Sequence, residues 1–133
     1  MTYLLRIVLD RDIKTHVGSL GDLHFKKGAY LYVGSARRGL KARLERHLVK
    51  KKRIFWHIDY LLSSRHAQIK DIWINIKEKE CQTASKLYKK NCGFVNKFGS
   101  SDCCCPSHLF FVRKSSLVEG LLKKEGFRKS RLK

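Results

Sequence analysis

The stretch Gly28-Ala-Tyr-Leu-Tyr-Val-Gly-Ser-Ala-Arg-Arg-Gly-Leu-Lys-Ala-Arg-Leu-Glu-Arg-His47 constrains this chain more than any other part of it. Gly28–Val33 is rich in aromatic and β-branched residues and predicts a strand. Gly34-Ser35 ends that strand. Leu40, Leu44 and Leu48 then recur at every fourth position, so Arg38–Val49 predicts a helix that buries a leucine stripe. At about 100° per residue, Arg43 and His47 share one flank of the stripe, at the core margin. Arg46, Lys50 and Lys51 turn further outward. Strand, glycine turn and basic helix in succession bring Tyr32, Arg43 and His47 within reach of one another.

The remaining elements follow from pattern. Tyr3–Leu9 predicts a strand and Ile13–Val17 a short second one. Ile54–Leu62 predicts a second helix with Phe55, Ile58, Leu61 and Leu62 inward. Ile72, Ile74 and Ile76 alternate with polar residues and Trp73, the signature of a half-buried strand over Ile69–Ile76. Glu80–Lys90 predicts a third helix with Ala84, Leu87 and Tyr88 on its apolar side. Phe98–Cys105 is a loop ended by Pro106, Leu109–Val112 a last strand and Ser116–Lys124 a last helix. Neither repeat nor linker interrupts the order of these strands and helices. It implies one compact α/β domain over residues 1–124, a small antiparallel β-sheet flanked by helices, followed by a basic C-terminal tail, 125–133.

Charge narrows the partners. The chain has 133 residues, 30 Lys and Arg against 11 Asp and Glu, and a formal net charge of +19. Seven Phe, five Tyr and two Trp set it apart from a disordered basic tail. Such a field attracts polyanions, so DNA is the expected partner, with RNA open. The blander reading is a generally basic proteome. An anionic membrane ranks lower, because the sequence shows no long apolar run, signal peptide or lipidation motif. The basic residues cluster. Arg37, Arg38, Lys41, Arg46, Lys50, Lys51, Lys52 and Arg53 are the candidates for holding a phosphate backbone. The run from Lys123 to Lys133 reads as an amphipathic helix that frays into a solvated tail. Five cysteines, an odd number, read as reduced thiols of a cytoplasmic protein, nucleoid-associated in a prokaryote.

Several side chains admit two readings each. Tyr30 and Tyr32 point to one face of their strand. They either pack in the sheet, or Tyr32 lies near a guanidinium, has its pKa lowered and serves as a base or orients water. Gly34 is a turn glycine or a point where backbone approaches phosphate. Arg43 at the core margin calls for an anionic partner, a carboxylate or a phosphate. His47 packs, or exchanges a proton with a phosphate. His57 caps or pairs with Asp59, or faces the same pocket. Glu80 meets the positive end of its helix or ligates a hard divalent cation such as Mg²⁺. Cys103, Cys105 and His108 are soft metal ligands, with Cys81 a conceivable fourth. Their spacing lacks the paired ligands of common zinc frameworks, so zinc is not expected and the thiols read as packing the final strand.

Taken together, these residues resemble a GIY-YIG nuclease domain over nearly the whole chain. They resemble in particular a small branch catalogued as a domain of unknown function, found alone or joined to endonuclease III-like proteins. Tyr3 stands where that family has the tyrosine of its first motif strand, and Tyr32-Val33-Gly34 matches the second motif. Arg43 matches the catalytic arginine, His47 the His or Tyr one turn on, His57 a later active-site histidine and Glu80 the metal-binding glutamate. Phe98-Gly-Ser-Ser-Asp-Cys103 and Ser107-His-Leu-Phe resemble the C-terminal signature of the branch. Thr2, not glycine, precedes Tyr3, and Gly39 lengthens the spacing from Tyr32 to Arg43.

The resemblance implies an endonuclease that uses Mg²⁺ or Mn²⁺ to hydrolyse phosphodiester bonds of DNA, in repair or recombination. Tyr32, or water it activates, would take the nucleophile's proton. Tyr3 would orient the nucleophile, Glu80 hold the metal, and Arg43 neutralise transition-state charge. His47 or His57 would position groups or relay a proton. Two other classes stay in view. One is a non-catalytic nucleic-acid-binding module on the same fold. The other is a cysteine-ligated zinc protein whose basic surface binds RNA.

Overall fold

The structure is a computed structural model that describes residues 1–130 except Asn91, Asp102 and Lys114. Its frame is one antiparallel sheet with strand order β6-β7-β4-β1-β5-β8. The long strands at its centre are β1 (Thr2–Leu9), β4 (Gly28–Ser35) and β5 (Ala67–Asn75). The shorter ones outside them are β6 (Gly93–Phe94), β7 (Leu109–Val112) and β8 (Arg128–Ser130). A separate hairpin pairs β2 (Ile13–His16) with β3 (Asp22–Phe25). Four helices are described: α1 (Leu40–Leu48), α2 (His57–Leu62), α3 (Glu80–Lys89) and α4 (Ser115–Lys124).

Both faces of the sheet are covered, which is why β1 and β4 read as almost continuous apolar runs. On one face Tyr3, Leu5, Ile7 and Leu9 of β1 pack with Tyr30 and Tyr32 of β4, and with Ile58, Leu61 and Leu62 of α2. On the other, Leu4, Leu31, Val33 and Trp73 pack with Ala84 and Leu87 of α3 and with Val118 and Leu122 of α4. The fold is therefore an α/β sandwich, as the element order implies, with helices on both sides of the sheet.

Four expectations change. Trp73 is buried, because β5 has a core on either side, and Ile76 lies past the strand and is exposed. The second helix starts at His57, three residues later than periodicity places it, and Phe55 points outward, 69 % exposed. The cause is Asp59, whose carboxylate accepts the backbone N–H of Phe55 (2.9 Å) and Trp56 (3.0 Å) and so sets the helix start. The leucine stripe of α1 is only partly covered: Leu48 is exposed, and the buried residue of that helix is His47. Finally, residues 125–130 are part of the domain. Phe127 is buried, and Arg128–Ser130 pair with Ile72–Ile74. The basic run thus supplies an edge strand, while residues 131–133 of the expected tail lie outside the described residues.

Candidate active site

The start of β1, the end of β4, α1 and the first residues of α2 and α3 meet around a cleft of about 870 Å³. Tyr3, Tyr32, Arg43, His57 and Glu80 all line it. Among the described residues Glu80 is the one carboxylate in the lining, and its side chain is 32 % exposed.

Register explains how the two tyrosines come together. Tyr3 on β1 pairs with Gly34 on β4, and Leu5 pairs with Tyr32. The Tyr3 ring lies across Gly34: a Cβ there would stand 2.4 Å from Tyr3 Cζ and 2.5 Å from its oxygen. Gly34 therefore serves close approach between side chain and backbone, and nothing larger fits without moving the phenol. A second glycine closes the other side. Gly99 has φ +69°, and its N–H donates to His57 Nδ1 at 2.9 Å. That bond leaves the imidazole proton on Nε2.

Burial lifts the Tyr3 hydroxyl to about 12, against the pull of Arg43, and lifts Tyr32 well above its ordinary value. This reverses the expectation that a nearby guanidinium lowers the phenol pKa, because desolvation outweighs the charge. At neutral pH both phenols keep their protons.

His47 is 2 % exposed and stands outside the lining, so it reaches the cleft through Tyr3, whose Oη is 2.7 Å from His47 Nε2. Its ring is neutral, since burial, reinforced by Lys52, lowers its pKa to about 4. Nδ1 has no hydrogen-bond partner. A buried unpaired N–H costs more than a buried lone pair, so the proton belongs on Nε2 and is donated to Tyr3. With that oxygen accepting from His47, the phenol's own proton is left for the cleft. Arg43 itself donates to the Ser35 carbonyl, and its guanidinium lies 4.8 Å from the Trp56 ring centroid.

The basic candidates divide by position. Arg37 and Arg38 are exposed and line the cleft. Lys51 and Arg53 are exposed. Lys41 faces a separate apolar groove with Leu40 and Leu44. The other three serve the fold. Arg46 forks onto the fully buried Asp59 at 2.9 and 2.8 Å. Although burial pushes the Asp59 carboxyl up, Arg46 and the N–H groups of Trp56 and Phe55 together hold it below the usual carboxylate range. Lys50 donates to the carbonyls of Leu62, Ser64 and Ala67, and Lys52 to those of Arg46 and His47. Those lysines add donors to carbonyls at the ends of α1 and α2 and at the start of β5.

Reasoning from sequence missed Asp59 and Trp56. An acid at the third position of a helix was the available signal for Asp59. Trp56 gives no such signal, because its role is to lie beside two arginines, 4.8 Å from Arg43 and 4.6 Å from Arg46. The cysteines depart from expectation in part. None of the five is fully buried: Cys92 and Cys105 pack against the core beside Phe110 and Val112 of β7, as expected, whereas Cys81 and Cys104 are exposed and Cys103 is half-buried.

A hard divalent cation fits the donor set. Glu80 offers carboxylate oxygen in a roomy, water-accessible cleft, and Mg²⁺ is commonly held by one or two carboxylates with water completing its shell. Among the described residues, no helix is long and apolar enough to cross a membrane. The model of a family described as a domain of unknown function, DUF123, matches residues 2–127. No curated protein and no solved structure matches the chain.

Proposed function

This chain belongs to the DUF123 family, and we propose that it is a metal-dependent endonuclease acting on DNA. The observation that carries the reading is a single cleft where one carboxylate, Glu80, shares a wall with Arg43 and two protonated phenols beneath an arginine rim. A phosphodiester needs cationic and hydrogen-bonding groups aimed at its oxygens, and a carboxylate only where a cation is to be held.

Arg37 and Arg38 hold the backbone by charge. Arg43, fixed by the Ser35 carbonyl and Trp56, faces the charge that builds on phosphorus. Tyr3 and Tyr32 donate to phosphate oxygens or to the attacking water. His47 keeps Tyr3 in place and is a positioning residue. His57 presents a neutral ring held by Gly99. A divalent cation at Glu80 would supply Lewis-acid neutralisation and water activation. Because burial keeps both phenols protonated, this reading assigns them no general-base role.

The test is cleavage of linear, nicked, flapped and branched DNAs with Mg²⁺, Mn²⁺ or EDTA. Metal-dependent products support the reading. Salt-sensitive binding with no cleavage of any substrate replaces it with a non-catalytic nucleic-acid-binding module.

A further inference from the structure

Four soft side chains converge behind the cleft. Cys81 lies in the first turn of α3, Cys103 and Cys105 in the loop before β7, and His108 at the entry to β7. One ligand atom from each lies within 4.8 Å of the other three, and Cys103 Sγ is 3.5 Å from His108 Nε2. Zinc–sulfur bonds of about 2.3 Å place tetrahedral neighbours about 3.8 Å apart. The four atoms need to draw inward by less than roughly 1 Å to meet that geometry. Core packing does not explain the convergence: Cys105 packs against the core, but Cys81 is exposed and Cys103 only half-buried. Three thiols and one imidazole make a recurrent structural zinc set. Cys81 comes from a different element, over twenty residues away, so the sequence spacing conceals the site.

A second relation supports the assignment. His108 presents Nε2 to Cys103, and its other nitrogen, Nδ1, stands 3.6 Å from Glu80 Oε2. Metal-ligating histidines commonly turn their second nitrogen to a carboxylate, which fixes the ring.

We propose that Cys81, Cys103, Cys105 and His108 bind one structural zinc ion. The ion ties the loop before β7 to α3. That loop carries Phe98, whose ring meets Tyr32 edge-on at 6.4 Å, and Gly99, which holds His57. Through His108 the ion also steadies Glu80, a consequence that rests on the nuclease reading, whereas the zinc site does not.

Protein purified without chelator should carry one zinc per chain by elemental analysis. Replacement by Co²⁺ should give the thiolate-to-cobalt charge-transfer band and visible absorption of a tetrahedral site. Cys103→Ser and Cys105→Ser should lose both signals, and Cys92→Ser and Cys104→Ser should keep both. The unmutated protein provides a readout independent of variant folding: zinc should shield Cys81, Cys103 and Cys105 from alkylation, and a chelator should expose them. Protein that takes up neither zinc nor cobalt, with alkylation unchanged by added zinc, overturns the assignment. None of these readouts involves DNA, so a failed cleavage assay leaves them standing.

Discussion

Tyr3 and Gly34 are register partners across β1 and β4, and the phenol occupies the space that any side chain at residue 34 would need. The consequence is measurable. Gly34→Ala should destabilise the protein by about 1–3 kcal/mol in denaturant unfolding, the usual cost of overpacking. Because the clash is with one ring, the same change in a Tyr3→Ala background should cost far less. Equal costs in both backgrounds would show that Gly34 is needed for some other reason.

Burial of His47 makes stability depend on pH. The ring is held at about 4 when folded, against about 6.5 in the unfolded chain. Between those values the unfolded state binds the extra proton, so stability rises with pH across the window and falls on acidification from about 6.5 to 4. The contribution is on the order of 3 kcal/mol at the acid end. His47→Gln, which can still bond Tyr3 but cannot titrate, should flatten unfolding free energy across that window.

Arg46 should behave as a structural residue. Arg46→Ala leaves the Asp59 carboxylate buried without its ionic partner and should cost about 3 kcal/mol. Asp59→Asn should recover part of that loss in the Arg46→Ala background, because it removes the stranded charge. Thermal unfolding of the two single variants and the double variant reads the coupling directly.

On the nuclease reading, position separates the basic residues proposed to hold nucleic acid from those that hold the fold. Arg37→Ala and Arg38→Ala should each lower the slope of log affinity against log salt by about 1, with thermal stability unchanged. Lys50→Ala should do the reverse. It removes donors from three carbonyls and should cost about 1–2 kcal/mol with the salt slope intact. Titration of a labelled DNA at several salt concentrations, beside melting curves, distinguishes the two patterns.

The sequence carried most of the frame, because hydrophobic period is local. The strands at Tyr3–Leu9 and Leu109–Val112 and the helices around Arg43 and Ala84 stand where their patterns place them. What it concealed depends on distant partners. Phe55 looks like a core residue until Asp59 fixes the helix start at His57. The 125–130 segment looks like a tail because its pairing partner, β5, lies more than fifty residues away. The site residues Tyr3, Tyr32, Arg43, His57 and Glu80 could be named from motif and do share one cleft. Their chemistry was less legible. A guanidinium beside a phenol suggests a lowered pKa, but burial, visible only in three dimensions, moves Tyr32 the other way. His47 likewise reads as a catalytic candidate until depth shows it gripping Tyr3 from behind.

The most direct test of the central claim is the single-turnover cleavage rate of Glu80→Gln against the unmutated protein, with DNA saturating and Mg²⁺ present. The nuclease account predicts a loss of about a hundredfold or more, with DNA binding retained. A Glu80→Gln protein that cleaves at the unmutated rate, still inhibited by EDTA, would contradict it and place the metal elsewhere.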